Sequence, residues 1–185
     1  MVGTIDQFRA QLIGGGARPN QFKVEINSPP GIVTGLPTEN AAFLCQASNL
    51  PSMAIGEIAL PFRGRQVYIA GDREFAEPWT TTFMNDTNFL IRNALERWQN
   101  GINDLVTGTG VVVSADYQAD LKVSQLDRDD NVLKVYIFRN AYPLNISTIE
   151  LSTATTNEIE SFTCTWRYQH FEPSEVTPGI AAVAG

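Results

Sequence analysis

The sequence predicts a mainly β protein, two packed sheets or a barrel, carrying one capped helix. Three observations support this. Short segments that alternate apolar and polar side chains recur along the chain, with turn residues between them. One long stretch near the middle repeats its apolar residues at three- and four-residue spacing instead. The chain has 185 residues, 43% of them hydrophobic, which suits a single domain spanning 1–185 with a substantial core.

Taken in order, Thr4–Ile13 reads as a short amphipathic helix with Ile5, Phe8, Leu12 and Ile13 apolar, ended by Gly14–Gly16. Such a helix is marginal alone and must dock on something, so 1–19 is expected to form an N-terminal arm. Asn20–Asn27 alternates as a strand with Phe22, Val24 and Ile26 facing in, and Ala42–Ser48 reads as a second strand. Asn49–Arg65 is extended and apolar, with Leu50, Met53, Ile55, Ile58, Leu60 and Phe62 between prolines that exclude a central strand. Two readings stand side by side here: a surface connection with its apolar residues tucked under, or an arm or hairpin that packs on another subunit. Gln66–Ala70 returns to strand, and Gly71-Asp72 reads as a turn.

Trp79–Met84 is a strand with Trp79, Thr81 and Phe83 on one face. Asn85-Asp86-Thr87 then offers capping oxygens to a helix over about 87–100, whose stripe is Leu90, Ile91, Ala94, Leu95, Trp98 and Ile102. Asn100-Gly101 is its expected stop. Val111–Val113, 117–124, Val132–Arg139, Asn145–Ser152 and Glu160–His170 read as further strands, with a hairpin turn at Asp127–Asn131 and a break at Tyr142-Pro143. Residues 173–185 are small, apolar and Pro/Gly-interrupted, and are expected to form a C-terminal arm or tail.

The composition narrows the function. A formal net charge of −7 argues against gripping nucleic acid, which requires a basic face. No apolar run is long enough to span a membrane, and the N-terminus lacks a signal-peptide core, so no export is expected. Cys45 and Cys164 read as small buried hydrophobes. Asp129-Asp130 lies in a turn beside Arg128, where a solvated pair is expected instead of a catalytic dyad. His170 has no nucleophile or metal-ligand partners at useful spacing, and the glycines at 108–110 lead into a valine run, not into a helix that cradles phosphate. Asn85-Asp86-Thr87 and Asn145-Ile146-Ser147 match a glycosylation pattern by chance. Arg63, Arg65 and Arg73 with Phe62 and Tyr68 form a small basic-aromatic set, expected to pair with a neighbour's carboxylates. No enzyme site and no cofactor or metal site is expected.

The residues resemble those of the tail tube proteins of contractile-tailed, myovirus-type bacteriophages. The resemblance starts at Ala17-Arg18-Pro19-Asn20 with Phe22, Val24-Glu25-Ile26, Cys45, Ala47 and Leu50-Pro51. It is densest at Gly64-Arg65, Ala70-Gly71-Asp72-Arg73, Phe75, Trp79-Thr80, Thr82, Met84-Asn85-Asp86, Arg92 and Trp98-Gln99. It resumes at Tyr142-Pro143, Asn145, Leu151, Asn157-Glu158-Ile159 and Phe162. Two departures stand out: Pro78 is an extra residue before Trp79, suggesting a bulge, and the chain extends past the family's usual end near Glu172.

The resemblance implies a structural protein whose sheets form a small barrel with a flanking helix. Six-subunit rings of it stack into the inner tube of a contractile tail and conduct the genome. The implied partners are further copies of itself, the tail sheath protein, baseplate and tail terminator proteins, and double-stranded DNA passing without specific binding. The implied location is the virion tail, after assembly in the host cytoplasm. Leu50, Met53, Ile55, Ile58, Leu60, Phe62, Arg65 and Arg73 are the expected subunit-interface residues; Gln118, Asp120, Lys122 and Ser124 are the expected lumen-facing ones. The alternatives are the tube subunit of a secretion-type or extracellular contractile injection system, and a barrel that binds single-stranded nucleic acid through its arginines and aromatics.

Overall fold

The computed structural model describes residues 4–12 and 16–174. Its elements are α1 (Ile5–Gln11), β1 (Phe22–Ile26), α2 (Thr38–Leu44), β2 (Cys45–Ser48), β3 (Ala54–Phe62), β4 (Arg65–Glu74), β5 (Trp79–Met84), α3 (Leu90–Ile102), α4 (Ser114–Tyr117), β6 (Ala119–Leu126), β7 (Val132–Ile146), β8 (Ser161–Arg167) and β9 (His170–Pro173). All pairings are antiparallel. One ladder runs β1-β6-β7-β8-β5-β2, with β9 also on β7; β3 and β4 form a separate hairpin. Among the described residues no ladder is recorded between β1 and β2, and the path reads as two packed sheets that share a strand.

The shared strand is β7. Its first part pairs with β6 and β9, and from Tyr142 onward it pairs with β8. Just before the changeover, between Phe138 and Ala141, the register with β6 shifts and Asn140 takes a left-handed φ of 53°. Asn tolerates this conformation better than most residues. The Asn140 amide donates to Asp120 Oδ1 at 3.1 Å, which pins the corner. The expected break at Tyr142-Pro143 is therefore a bend inside a continuous strand.

The core lies between the two sheets. Trp79 of β5 stacks on Phe138 of β7, ring centroids 4.4 Å apart. Trp166 of β8 meets Trp98 of α3 edge-on at 5.6 Å, so the helix closes the space between the sheets. Each buried indole N–H finds an acceptor: Trp79 the Asn49 carbonyl, Trp98 the Tyr117 carbonyl and Trp166 the Thr81 hydroxyl. Burying one such ring contributes on the order of 1.5–3 kcal/mol. The α3 stripe is as expected, with Ile91, Ala94, Leu95 and Trp98 buried. Its first turn is served by Asp86, whose Oδ1 accepts from the Leu90 amide at 2.8 Å. The helix runs past Asn100-Gly101 to Ile102.

Several expectations are corrected. Residues 38–44, read in part as strand, form α2, because Ala41 is buried at helical spacing while Phe43 points to solvent. Val111–Val113 is a connection into the single turn α4, since the Val111 amide is taken by Gly101 O. Asn145–Ser152 is the end of β7 and a loop. Gly71-Asp72 is a bulge within β4, not a turn. Pro78 lies in the connection before β5, and the β5–β8 register runs unbroken, so it makes no bulge there. In the N-terminal arm Thr4 and Gln7 form a reciprocal capping box, and no residue of α1 is buried. Ile13 and the glycines at 14–15 lie outside the described residues, as does the C-terminal arm beyond Ser174; Pro173 itself belongs to β9.

Candidate assembly surfaces

The β3–β4 hairpin is exposed along nearly its whole length. Arg63 (φ 46°) and Gly64 (φ 81°) form its two-residue turn. Both central residues have positive φ, the backbone twist that suits a tight hairpin. At the other end Gly71 lets the bulge approach: a Cβ there would sit 3.0 Å from the Gly56 carbonyl oxygen. Nine residues of β3 extend about 30 Å.

The register sorts the hairpin into two faces. Phe62↔Arg65, Leu60↔Val67 and Ile58↔Ile69 are directly opposite one another. One face thus carries Ile58, Leu60, Phe62, Val67 and Ile69, each 45–61% exposed. The other carries Glu57, Ala59, Pro61, Gln66, Tyr68 and Ala70, with Ile55↔Arg73 beyond the bulge. All eight expected interface residues are exposed, but they do not form one patch. Ile58, Leu60, Phe62 and Arg65 share a face near the tip, Ile55 and Arg73 lie at the base on the other, and Leu50 and Met53 precede the strand. Val67 and Ile69 join the apolar face unannounced, although their alternation with Gln66 and Tyr68 in the sequence carries that signal. The basic-aromatic set is split: Arg63 sits over the Phe62 ring at 5.3 Å, while Arg73 lies at the far end and Tyr68 on the opposite face.

The second surface is the outward face of the four strands β1, β6, β7 and β9. Opposite pairs place Lys23, Glu25, Lys122, Asp120, Arg139, His170 and Glu172 there. Its charges pair with one another. Glu25 holds Lys23 at 3.0 Å and Lys122 at 2.7 Å. Arg139 bridges Asp120 at 2.6 Å and Glu172 at 2.7 Å, with His170 3.6 Å from Glu172. The Lys122 ammonium, aided by Lys23, holds the Glu25 carboxyl below its ordinary range against the effect of burial. Arg139 does the same for Glu172. Of the expected lumen residues, Asp120 and Lys122 lie on this face. Ser124 shares it but is 2% exposed, between Lys23 and Val135 in the ladder. Gln118 precedes the strand and closes α4.

The remaining candidates hold structural places. Asp127 accepts from the Asp129 and Asn131 amides, and Asp130 (φ 60°) completes an exposed turn. Cys45 and Cys164 are buried, and desolvation pushes the Cys45 thiol up to about 12 and Cys164 higher. Among the described residues no group of His, Cys, Asp and Glu could hold a metal ion.

A two-sheet body, a helix closing its core and an exposed hairpin make up the fold, and the comparisons with known proteins place it. The fold matches the sheath–tube complex of an extracellular contractile injection system (PVC, extended state) with a TM-score of 0.57 at 14% identity, covering 95% of this chain and 100% of that one. It matches a chain of the anti-feeding prophage baseplate with a TM-score of 0.56 at 14% identity, covering 85% and 94%. The family model described as "Phage tail tube protein" matches residues 17–174, and the chain belongs to that family. It is 31% identical over 169 residues to the tail tube protein of Serratia phage KSP90, covering 90% of this chain and 95% of the relative. It is 32% identical over 172 residues to tail tube protein gp19 of Enterobacteria phage T4, covering 90% and 98%. The chain is therefore a structural subunit of a phage tail tube, a component of the virion tail.

Proposed function

We propose that this subunit forms six-membered rings that stack into the inner tube of a contractile tail. Sheath, baseplate and terminator proteins engage the tube, assembly takes place in the host cytoplasm, and double-stranded DNA passes through the lumen without specific binding. The observation that carries the reading is the hairpin. Five large apolar side chains on one face of β3–β4 are 45–61% exposed among the described residues, and a contiguous exposed apolar surface of this kind marks an interaction site. Stacking gives it a partner, because a ring or tube built head to tail repeats the same unlike contact at every subunit. The edges of the sheets at β1, β9 and β2 offer unpaired backbone groups that a neighbouring copy satisfies. The Asp120–Lys122 face is the proposed lumen wall. The chain's −7 charge does not reside on this face, whose cations and carboxylates balance.

A chain of the solved sheath–tube complex of an extracellular contractile injection system shares the fold, which keeps that setting as the second reading. The identities of 31–32% to phage tail tube proteins favour the phage. The single-stranded nucleic-acid reading, through Arg63, Arg65, Phe62 and Tyr68, is the weaker alternative, because Tyr68 lies on the face opposite Phe62 and Arg65. Negative-stain electron microscopy of the purified, concentrated protein tests the proposal. Six-fold rings or uniform hollow tubes are expected. The I58D/L60D variant should remain folded and fail to assemble; tubes from it at the parent yield would overturn the role given to the hairpin.

A further inference from the structure

The outward face of β1, β6, β7 and β9 carries three permanent cations, Lys23, Lys122 and Arg139, and three carboxylates, Glu25, Asp120 and Glu172. Every cation has a carboxylate oxygen within 3.0 Å. We propose that this face is charge-masked toward polyanions, with Glu25 as the mask over Lys23 and Lys122, and Asp120 with Glu172 as the mask over Arg139. Its use rests on the reading that this face lines the lumen.

The reasoning starts from what binds DNA. Cations bind a duplex chiefly because they replace condensed counterions on its phosphates. A lysine whose carboxylate partner sits beside it has less to gain. An arriving phosphate must also approach that carboxylate, whose charge opposes it. The strength of the exposed pairs, about 0–1 kcal/mol each, matters less than the fixed presence of the carboxylate on the adjacent strand. The face as a whole is neutral, so it neither holds a passing polyanion nor raises its energy by repulsion.

Repetition makes the pairing consequential. In a stacked homopolymer one unmasked lysine recurs in every copy, and contacts that are negligible singly become strong avidity along one continuous duplex. A tube that conducts DNA needs each copy to be silent.

The test is duplex DNA binding by the full-length protein, read by fluorescence anisotropy across a salt series. E25Q removes the mask and frees two lysines. It is expected to gain binding that falls about tenfold between roughly 50 and 200 mM salt, the dependence of two phosphate contacts. E150Q changes the net charge equally at an exposed position outside this face and is expected to bind no better than the parent. The triple variant E25Q/K23Q/K122Q should lose the gain. Folded E25Q that binds like the parent, or E150Q that gains as much as E25Q, overturns the masking. A separate arm tests the location. K23C in tubes and in unassembled protein is treated with a maleimide on a bulky polymer; Cys45 and Cys164, being buried, stay silent. Protection in tubes is expected, and equal labelling would overturn the lumen reading while the anisotropy result stands by itself.

Discussion

Trp166 shows what a single residue does in this core. Its ring touches Trp98 and Trp79, and its Nε1 donates to the buried Thr81 hydroxyl at 2.8 Å. Trp166→Ala should cost about 3–5 kcal/mol, read as a lowered urea midpoint. Asp120 does a different job: it holds the Arg139 side chain and the Asn140 amide at the bend of β7. Asp120→Ala should cost about 1–3 kcal/mol and raise amide exchange at Asn140. Asp104 accepts from the Val106 and Thr107 amides, the Thr107 hydroxyl and Asn100. The Thr107 bonds lead in holding its carboxyl down to about 2. Its contribution is thus complete above the ordinary value of 3.8 and lost as pH falls through about 2. The Thr107 amide resonance should titrate with that midpoint. At this scale the sequence was a good guide to burial, as with Trp79, Phe83 and Phe162. It was a poor guide to pairing, because Asp120 meets Arg139 and Glu172 only once three strands are aligned.

Among the elements, β5, α3, β8 and the β6–β7 hairpin were legible because each keeps its own period over six residues or more. Helix α2 was not, since seven residues give barely two turns in which to show a helical repeat. In the sequence Pro143 signals an end to the strand, whereas in the fold it sits in mid-strand, beside the point where the partner of β7 changes from β6 to β8. Strand β9 overlaps the single strand expected over Glu160–His170 only at His170, and its Pro173 falls in the segment expected to be an arm. It is held by Phe171 in the core, by the Arg139–Glu172 pair and by Ser174, whose amide donates to Val135 O at 2.7 Å. Because Arg139 keeps the Glu172 carboxyl below its ordinary 4.5, this hold is present above that value and lost as pH falls through the lower folded one. Amide exchange in β9 should therefore rise in acid below about pH 4.5. E172Q should show faster exchange at neutral pH and lack that added acid response.

For the whole molecule, the body and the hairpin are separable. The core contains no residue of β3 or β4, so replacing 54–74 with a short flexible turn should leave a folded monomer whose thermal midpoint is close to the parent's. The same deletion should abolish tubes in the electron microscope, and a deletion that unfolds the body would refute the separation. The apolar run of 49–65 was visible in the sequence, but its geometry was not: a face exists only when Leu60 is opposite Val67 and Ile58 opposite Ile69. A last consequence follows from β7, fifteen residues long and common to both sheets. Two sheets joined only by side-chain packing would slip, but here a covalent chain crosses between them. The covalent backbone of β7 therefore ties the two sheets together at the Asn140 corner, as a rivet ties two plates.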